Sequence, residues 1–302
     1  MHIEIINQIQ AKINDKLSQG LSQARLAGQL GVTAPTVYNI INSKLELISD
    51  RMWNKLAAKL GINSTSWRMA NTANSNTVKS ICGDAQRNAL FIAIAGFSGA
   101  GKTAALKLYT DKNPQSYYVL CNLLMGKKHF LRSIQQAIGI DVEGSLISQL
   151  DAIIEQLRGQ DEPLLILDDG GKLNDANMKL IQLIYDELEG SCGIVLAGTE
   201  DMKHYIDKMA AKGKIGFPEL KRRICYWQRM YEPSHQAVNE ILSLNDAKIA
   251  DQATLNYIMK HCAKNYGSLR NSIINAKKVA NGDPITVELL GGMHIGDVNF
   301  QN

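Results

Sequence analysis

The chain has 302 residues, 45% of them hydrophobic and 21% charged, with a net charge of +4. That balance suits a soluble globular protein of about two domains and excludes a disordered, collagen-like or membrane-embedded chain. The small positive excess permits contact with nucleic acid without requiring it. Five widely spaced cysteines with no C-x-x-C argue against a disulfide framework or a zinc site and fit a reducing compartment. The opening "MHIEIINQIQ" lacks the basic and apolar regions of a signal peptide, and no apolar run approaches bilayer length. A cytoplasmic location without a membrane partner is therefore expected.

Residues 1–66 read as an all-α domain of short helices. Within it "LSQARLAGQLGVTAPTVYNIINSK" has helix-turn-helix spacing. Ala27 is small where two helices must approach, Gly31 sits at the turn, and Leu26, Leu30, Val37 and Ile41 are expected to form the buried seam. Thr33 is placed to cap the second helix, with Pro35 in its first turn. That helix is expected to offer Thr36, Tyr38 and Asn39 to a DNA groove, with Lys44 and Arg51 on phosphates. A three-helix protein-interaction or assembly domain with the same core is the alternative to DNA contact. The absence of Arg and Lys from the recognition side argues against strong base-specific reading.

"WRMANTANSNTVKS" is polar and lacks apolar periodicity, so residues 67–76 are read as a linker. From residue 77 to 232 apolar runs, "NALFIAIA", "SYYVLCN", "PLLILDD" and "GIVLAGT", alternate with helical stretches. That order predicts an α/β domain with a mostly parallel sheet covered on both faces. After the first run comes "GFSGAGKT", which fits G-x-x-x-x-G-K-[ST] at every fixed position. Gly96, Phe97, Ser98, Gly99, Ala100 and Gly101 are expected to wrap phosphate oxygens with backbone N–H groups. Lys102 is expected to reach the β and γ phosphates, and Thr103 to help hold Mg²⁺.

Next in order, "MGKKHFLR" supplies Lys127, Lys128 and Arg132, either a DNA-holding surface in an oligomer or an ordinary solvated face. "LLILDD" delivers Asp168 to the carboxyl edge of the sheet as a second Mg²⁺-site residue. Asp169 follows, where it would orient the attacking water. It is one methylene shorter than glutamate, so slow hydrolysis is expected. "GIVLAGTE" ends with Thr199 at the same edge, a hydroxyl placed to orient that water. "PELKRRIC" carries Arg222 and Arg223. Arg223 is taken as the finger that reaches the γ-phosphate of a neighbouring subunit, with the choice between the two arginines open. From 233 to 290 the pattern is helical only, a small lid, with Arg270 in "GSLRN" placed to bridge nucleotide and lid. The tail 291–302 is Gly-rich and expected to be loose.

Taken together, "GFSGAGKTAALKLY", "LLILDDGGKL", "GIVLAGTE" and "GSLRNSIINA" resemble the AAA+ ATPases over about residues 77–285. More narrowly they resemble the transposition ATPases represented by the B protein of Mu-type phages. The resemblance implies an AAA+ P-loop module with a helical lid behind a helix-turn-helix domain. It also implies ATP and Mg²⁺ as cofactors, self-assembly into a helical oligomer on duplex DNA of little sequence preference, and delivery of target DNA to a transposase. It assigns Gly96, Gly101, Lys102 and Thr103 to the nucleotide, Asp168 to Mg²⁺, Thr199 to the sensor position, Arg223 to the finger and Arg270 to the lid sensor. Asp169 and the glycines 170 and 171 depart from the family pattern. An ATP-sensing transcriptional regulator and a replication or plasmid loader ATPase remain the competing functions.

Overall fold

The computed structural model describes residues 3–18, 22–60 and 67–293. The side chain of Arg51 and the tail from 294 to 302 lie outside the described residues. The chain divides into two compact units, Met1–Met69 and Ala70–Asn302.

The first unit is all-helical: α1 Ile3–Ser18, α2 Gln23–Leu30, α3 Ala34–Ile41 and α4 Asp50–Lys59. Its core joins Ile9 and Ile13 of α1, Leu26 and Leu30 of α2, Val37 and Ile40 of α3, and Trp53 and Leu56 of α4. Between α2 and α3, Gly31 takes φ 65° and lets the chain turn within three residues. Two expectations are corrected. Ile41 is only partly buried, and Ile40 fills the seam instead. Thr33 occupies the N-cap position of α3 but makes no capping bond; its hydroxyl pairs with that of Thr36 at 2.9 Å.

The second unit begins with α5 Ala73–Arg87, capped by the Thr72 hydroxyl, which accepts from Ser75 N. Helix therefore starts inside the stretch read as a linker. The reason lies downstream: Val78, Ile81, Cys82 and Ala85 recur at helical spacing and are buried. There follow β1 Phe91–Ala95, α6 Lys102–Thr110, β2 Ser116–Leu120, α7 Lys127–Ile138, α8 Leu146–Arg158, β3 Leu164–Asp168, α9 Asp175–Leu188, β4 Gly193–Gly198, α10 Glu200–Ala211, α11 Phe217–Arg223 and β5 Tyr226–Arg229. The lid helices are α12 His235–Leu244, α13 Gln252–Tyr257, α14 Tyr266–Ala280 and α15 Val287–Gly292, with a π-helical turn at Ile258–Cys262 extending α13. The glycines 291 and 292, read as the start of the loose tail, end α15.

The five strands are all parallel, in the order β2-β3-β4-β1-β5. Alternate residues feed opposite faces. Ile92, Ile94, Leu164, Ile166, Val195 and Ala197 pack under α5 and α6. Phe91, Ala93, Leu165, Leu167, Ile194 and Leu196 pack under α7 to α11. Burial on both sides is why β1, β3 and β4 read as unbroken apolar runs. β2 and β5 are the two edge strands, each paired with one neighbour and partly exposed. β5 has both ends exposed, so "YWQR" carries no such signal.

Candidate nucleotide-binding site

The loop between β1 and α6 sits at the carboxyl edge of the sheet. Gly96 N donates to Gly198 O at 3.1 Å, which ties the loop to the end of β4. Gly101, at φ 88°, takes the N-cap position of α6, so the helix begins at Lys102 with its first N–H groups facing the loop. Gly99 also has positive φ, and a Cβ there would lie 2.3 Å from Asn265 Oδ1. Only glycine permits the lid to approach this closely.

Lys102 is buried and folds back onto the loop, donating to Gly96 O at 2.8 Å and Phe97 O at 3.0 Å. Burial lowers its ammonium below the ordinary lysine value, an effect partly opposed by Asp168 and Asp169. Both loop carbonyls act as stand-ins for an acceptor, and phosphate oxygens are the stronger one.

Asp168 ends β3 with no exposed surface. Its Oδ2 accepts from the Tyr118 hydroxyl at 2.8 Å, and its Oδ1 accepts from Asp169 N at 2.9 Å. Burial, followed by that bond to Asp168, raises the Tyr118 phenol well above its ordinary value, so it is a donor at every working pH. An oriented buried carboxylate and the exposed Thr103 hydroxyl on the first turn of α6 are hard oxygen donors. That set fits Mg²⁺, which takes one or two protein oxygens and completes its shell with phosphate and water. Asp168 and Thr103 would hold the ion, which when bound neutralises charge on the β and γ phosphates.

Asp169 adopts φ 57°, a left-handed backbone that aspartate tolerates better than most residues. Its Oδ2 lies 2.6 Å from Lys172 Nζ, three residues on. The Asp169 carboxylate is thus paired with a cation from its own turn, and that bond raises the Lys172 ammonium above its ordinary value. Gly170 lies close against β4. A Cβ there would come within 2.3 Å of Leu196 Cδ1, so no larger residue fits over β4. Thr199 follows β4 at the same edge, half-buried, as the N-cap of α10.

The lid closes over this edge. Gly267 N donates to Gly99 O at 3.3 Å, and Asn265 caps α14 while abutting Gly99. Arg270 lies one turn further along α14, partly buried. From the other side Asn74 of α5 donates to Ala100 O at 3.2 Å and Tyr231 O at 2.7 Å, and accepts from Tyr231 N at 3.1 Å. It clamps the phosphate loop to the segment leading into the lid. At the end of β5, Arg229 pairs with Glu200 at 2.9 Å.

The structure therefore gathers Gly96 to Thr103, Asp168, Asp169 and Thr199 at one edge, with the start of α14 against them. Arg223 is not among them. It precedes β5, whose first residue pairs with Ile92 near the opposite edge. Its Nε sits 2.7 Å from Asp186 Oδ1, an ion pair rather than a well-aligned hydrogen bond, and Nη1 reaches Glu189 at 3.3 Å. Arg222 beside it is exposed and has no partner among the described residues. Lys127, Lys128 and Arg132 are exposed on the first turns of α7. In the first unit Tyr38 is 49% exposed, with Lys44 Nζ 5.9 Å from its ring centre, and Asn39 is half-buried. Thr36 is buried, contrary to expectation, because its hydroxyl is turned to Thr33. Sequence reasoning missed Tyr118, Lys172, Asn74 and Asn265. Only Asn265 carried a signal, the capping pattern of "NYGS", and that pattern points to a helix start rather than to the phosphate loop.

Residues 85–206 match the family model described as AAA domain. No curated protein matches the chain. Among solved structures it is similar to the ORC2 protein of Aeropyrum pernix in ADPNP–ADP complexes, at TM-score 0.57 and 14% identity over 76% of this chain and 70% of that one. It is also similar to Cdc6p from Pyrobaculum aerophilum, at TM-score 0.52 and 16% identity over 74% of this chain and 66% of that one, just short of two thirds. NtrX from Brucella abortus with ADP gives TM-score 0.50 and 15% identity, over 82% of this chain and 59% of that one. At these identities the likeness concerns the fold. The second unit is an AAA+ P-loop module, and the chain carries a helical region before it. Among the described residues no helix is long and apolar enough to cross a membrane.

Proposed function

We propose that the chain is an ATP-dependent DNA-binding assembly protein. ATP joins neighbouring copies on duplex DNA, and slow hydrolysis releases them. The observation that carries this reading is the seat of the lid on the phosphate loop, Gly267 N on Gly99 O with Asn265 against Gly99. That contact ties the loop to the lid, so a nucleotide that binds more tightly in one lid position shifts the lid toward it. Lys102, Thr103 and Asp168 bind Mg²⁺ and ATP, Asp169 and Thr199 orient water, and Arg270 links lid to nucleotide. An arginine of the Lys221–Arg223 segment completes a neighbour's site. In this role Arg222 is better placed than Arg223, whose guanidinium is already paired.

Duplex DNA is held through phosphates by Lys127, Lys128, Arg132 and Lys44, with Tyr38 and Asn39 of a helix-turn-helix domain facing its groove. The likeness to the transposition ATPases supports a transposase as the protein that receives this DNA, in the cytoplasm. The fold shared with ORC2 and Cdc6p favours a second reading, a loader or remodelling ATPase for replication or plasmid maintenance.

Light scattering and electron microscopy with and without ATP and duplex DNA test the first reading. Small species without nucleotide and long oligomers with both ligands are expected, and Lys102→Ala should abolish the change. A monomer under all four conditions would overturn it. A footprint separates the functions: continuous coverage of unrelated DNA favours assembly, and discrete protection favours a sequence-reading protein.

A further inference from the structure

Between β2 and α7 the chain makes a short turn whose tip is apolar. Leu124 is 88% exposed, the highest value for a large hydrophobic side chain among the described residues, and Leu123 beside it is 78% exposed. Leucine pairs normally leave water. Here the turn prevents it, because both ends are fastened. Cys121 is buried, and its N–H donates to Asp168 O at 2.8 Å. Leu124 N donates to Asn122 Oδ1 at 2.9 Å, and Met125 N reaches Asn122 O at 3.3 Å. Met125 is buried, and its carbonyl accepts from Asn177 Nδ2 at 2.6 Å and Asn174 Nδ2 at 3.3 Å. Cys121 and Met125 point in, so Leu123 and Leu124 point out.

The segment that carries the tip has one sign of charge. No Asp or Glu occurs from Lys112 to Ile140. Lys127, Lys128 and Arg132 follow the turn at once, exposed and without partners among the described residues. An apolar partner protein would satisfy the leucines but not the three exposed cations that follow them. A duplex satisfies both. Its phosphates take the cations, and its base steps offer an apolar interior once a groove is widened.

We propose that Leu123 and Leu124 form a wedge that enters the minor groove and partly unstacks a base step, while Lys127, Lys128 and Arg132 hold the flanking phosphates. This rests on the DNA-binding reading above and adds that the bound DNA is deformed. The leucines read no base edges, so the chain binds any sequence with a bias toward flexible pyrimidine–purine steps. The turn starts one hydrogen bond from the backbone of Asp168, so the wedge is seated on the nucleotide edge itself.

The test uses the full chain with a non-hydrolysed ATP analogue and a short duplex. The duplex carries a dye at each end and 2-aminopurine at a central step. The wild type should shorten the end-to-end distance and brighten the 2-aminopurine. The Leu123→Ala, Leu124→Ala double variant alters only exposed side chains and should keep nucleotide affinity. It should lose both optical changes and about tenfold in DNA affinity, with an unchanged dependence on salt, because apolar contacts release no counterions. The Lys127→Ala, Lys128→Ala variant should instead flatten the slope of log affinity against log salt by about two.

If the leucine variant bends and brightens DNA as the wild type does, the wedge is wrong. If it does so but loses self-assembly, the tip is a protein contact and the wedge is again wrong. Wild-type binding without bending or brightening overturns the wedge and spares the DNA-binding reading. No duplex binding at all overturns that reading and the wedge with it.

Discussion

Tyr118 on β2 reaches across to the last residue of β3 and donates its hydroxyl to Asp168 Oδ2 at 2.8 Å. With Asp169 N on the other oxygen, the carboxylate is fixed from both sides before any ion arrives. Lys107 Nζ lies 5.2 Å from the centre of the Tyr118 ring and adds a cation against its face. A hydrogen bond to a charged group contributes about 1.5–3 kcal/mol. Tyr118→Phe removes that bond and keeps the ring. The half-saturating Mg²⁺ concentration for ATP binding should rise by about tenfold, with nucleotide affinity in the absence of Mg²⁺ unchanged. Titrating a fluorescent ATP analogue with and without Mg²⁺ measures both. An unchanged Mg²⁺ requirement would show that Asp168 does not depend on Tyr118.

The pairing of Asp169 with Lys172 has a consequence of opposite sign. Both side chains are partly exposed, at 33% and 48%, so the pair contributes only about 0.2–1 kcal/mol. If Asp169 orients water, Lys172 competes for it. Lys172→Ala should then raise turnover by about two- to fivefold, within that energy range. Asp169→Asn should lower turnover at least about tenfold while leaving ATP affinity intact, since asparagine also tolerates the left-handed backbone. Steady-state phosphate release and ATP binding decide. A slower Lys172→Ala enzyme would assign Lys172 a direct role on phosphate instead.

Much of this site was legible because phosphate loops and buried parallel strands write themselves as local patterns. Gly96 to Thr103 follows a fixed spacing, and "LLILDD" is apolar up to the edge where Asp168 emerges. What was not legible depends on contacts across the fold. Tyr118 reaches Asp168 only through the register that sets Leu120 beside Asp168. Asn74 sits in a stretch whose Asn, Ser and Thr content favours turns, and its helix is stabilised by burial further along. The ion pairs of Arg223 come from Asp186 of α9 and from Glu189 just after it, more than thirty residues away. Spacing could not distinguish Thr36 from Tyr38, since both sit on one short helix and a single hydroxyl contact turns Thr36 inward.

The fit of Gly170 against β4 predicts a cost in stability. Leu196 is wholly buried on an inner strand and cannot retreat from a Cβ that would lie 2.3 Å from its Cδ1. Gly170→Ala should therefore destabilise the second unit by about 1–3 kcal/mol and lower its melting temperature by several degrees. Leu196→Val in the same chain frees space and should recover part of the loss, so the double variant should be more stable than the sum of the two single effects. Thermal melts of the four proteins test it. Strict additivity would mean that the two residues do not press on one another.

The two arginines ahead of β5 should separate cleanly. Arg223 is 25% exposed and faces Asp186 and Glu189, so Arg223→Ala leaves two carboxylates without their cation. The expected result is a loss of about 1–2 kcal/mol, discounted from the cost of breaking a buried pair because the side chains are partly exposed, although the paired Nε and Oδ1 atoms are buried. Arg222 is exposed and has no hydrogen-bond or ion-pair partner among the described residues. Arg222→Ala should leave stability within about 0.5 kcal/mol, as for other exposed substitutions. Its effect should appear only between copies. A charge-assisted contact from Arg222 to a neighbour's γ-phosphate is worth about 1.5–3 kcal/mol, or about one to two decades in association per interface. The variant should bind ATP, hydrolyse it poorly and fail to form long oligomers on DNA at concentrations where the wild type does. Melting temperature, ATP affinity and light scattering on both variants distinguish the roles. If Arg223→Ala abolishes hydrolysis and assembly at unchanged melting temperature while Arg222→Ala behaves as wild type, the finger is Arg223. Its pairing with Asp186 would then be a resting arrangement that assembly breaks.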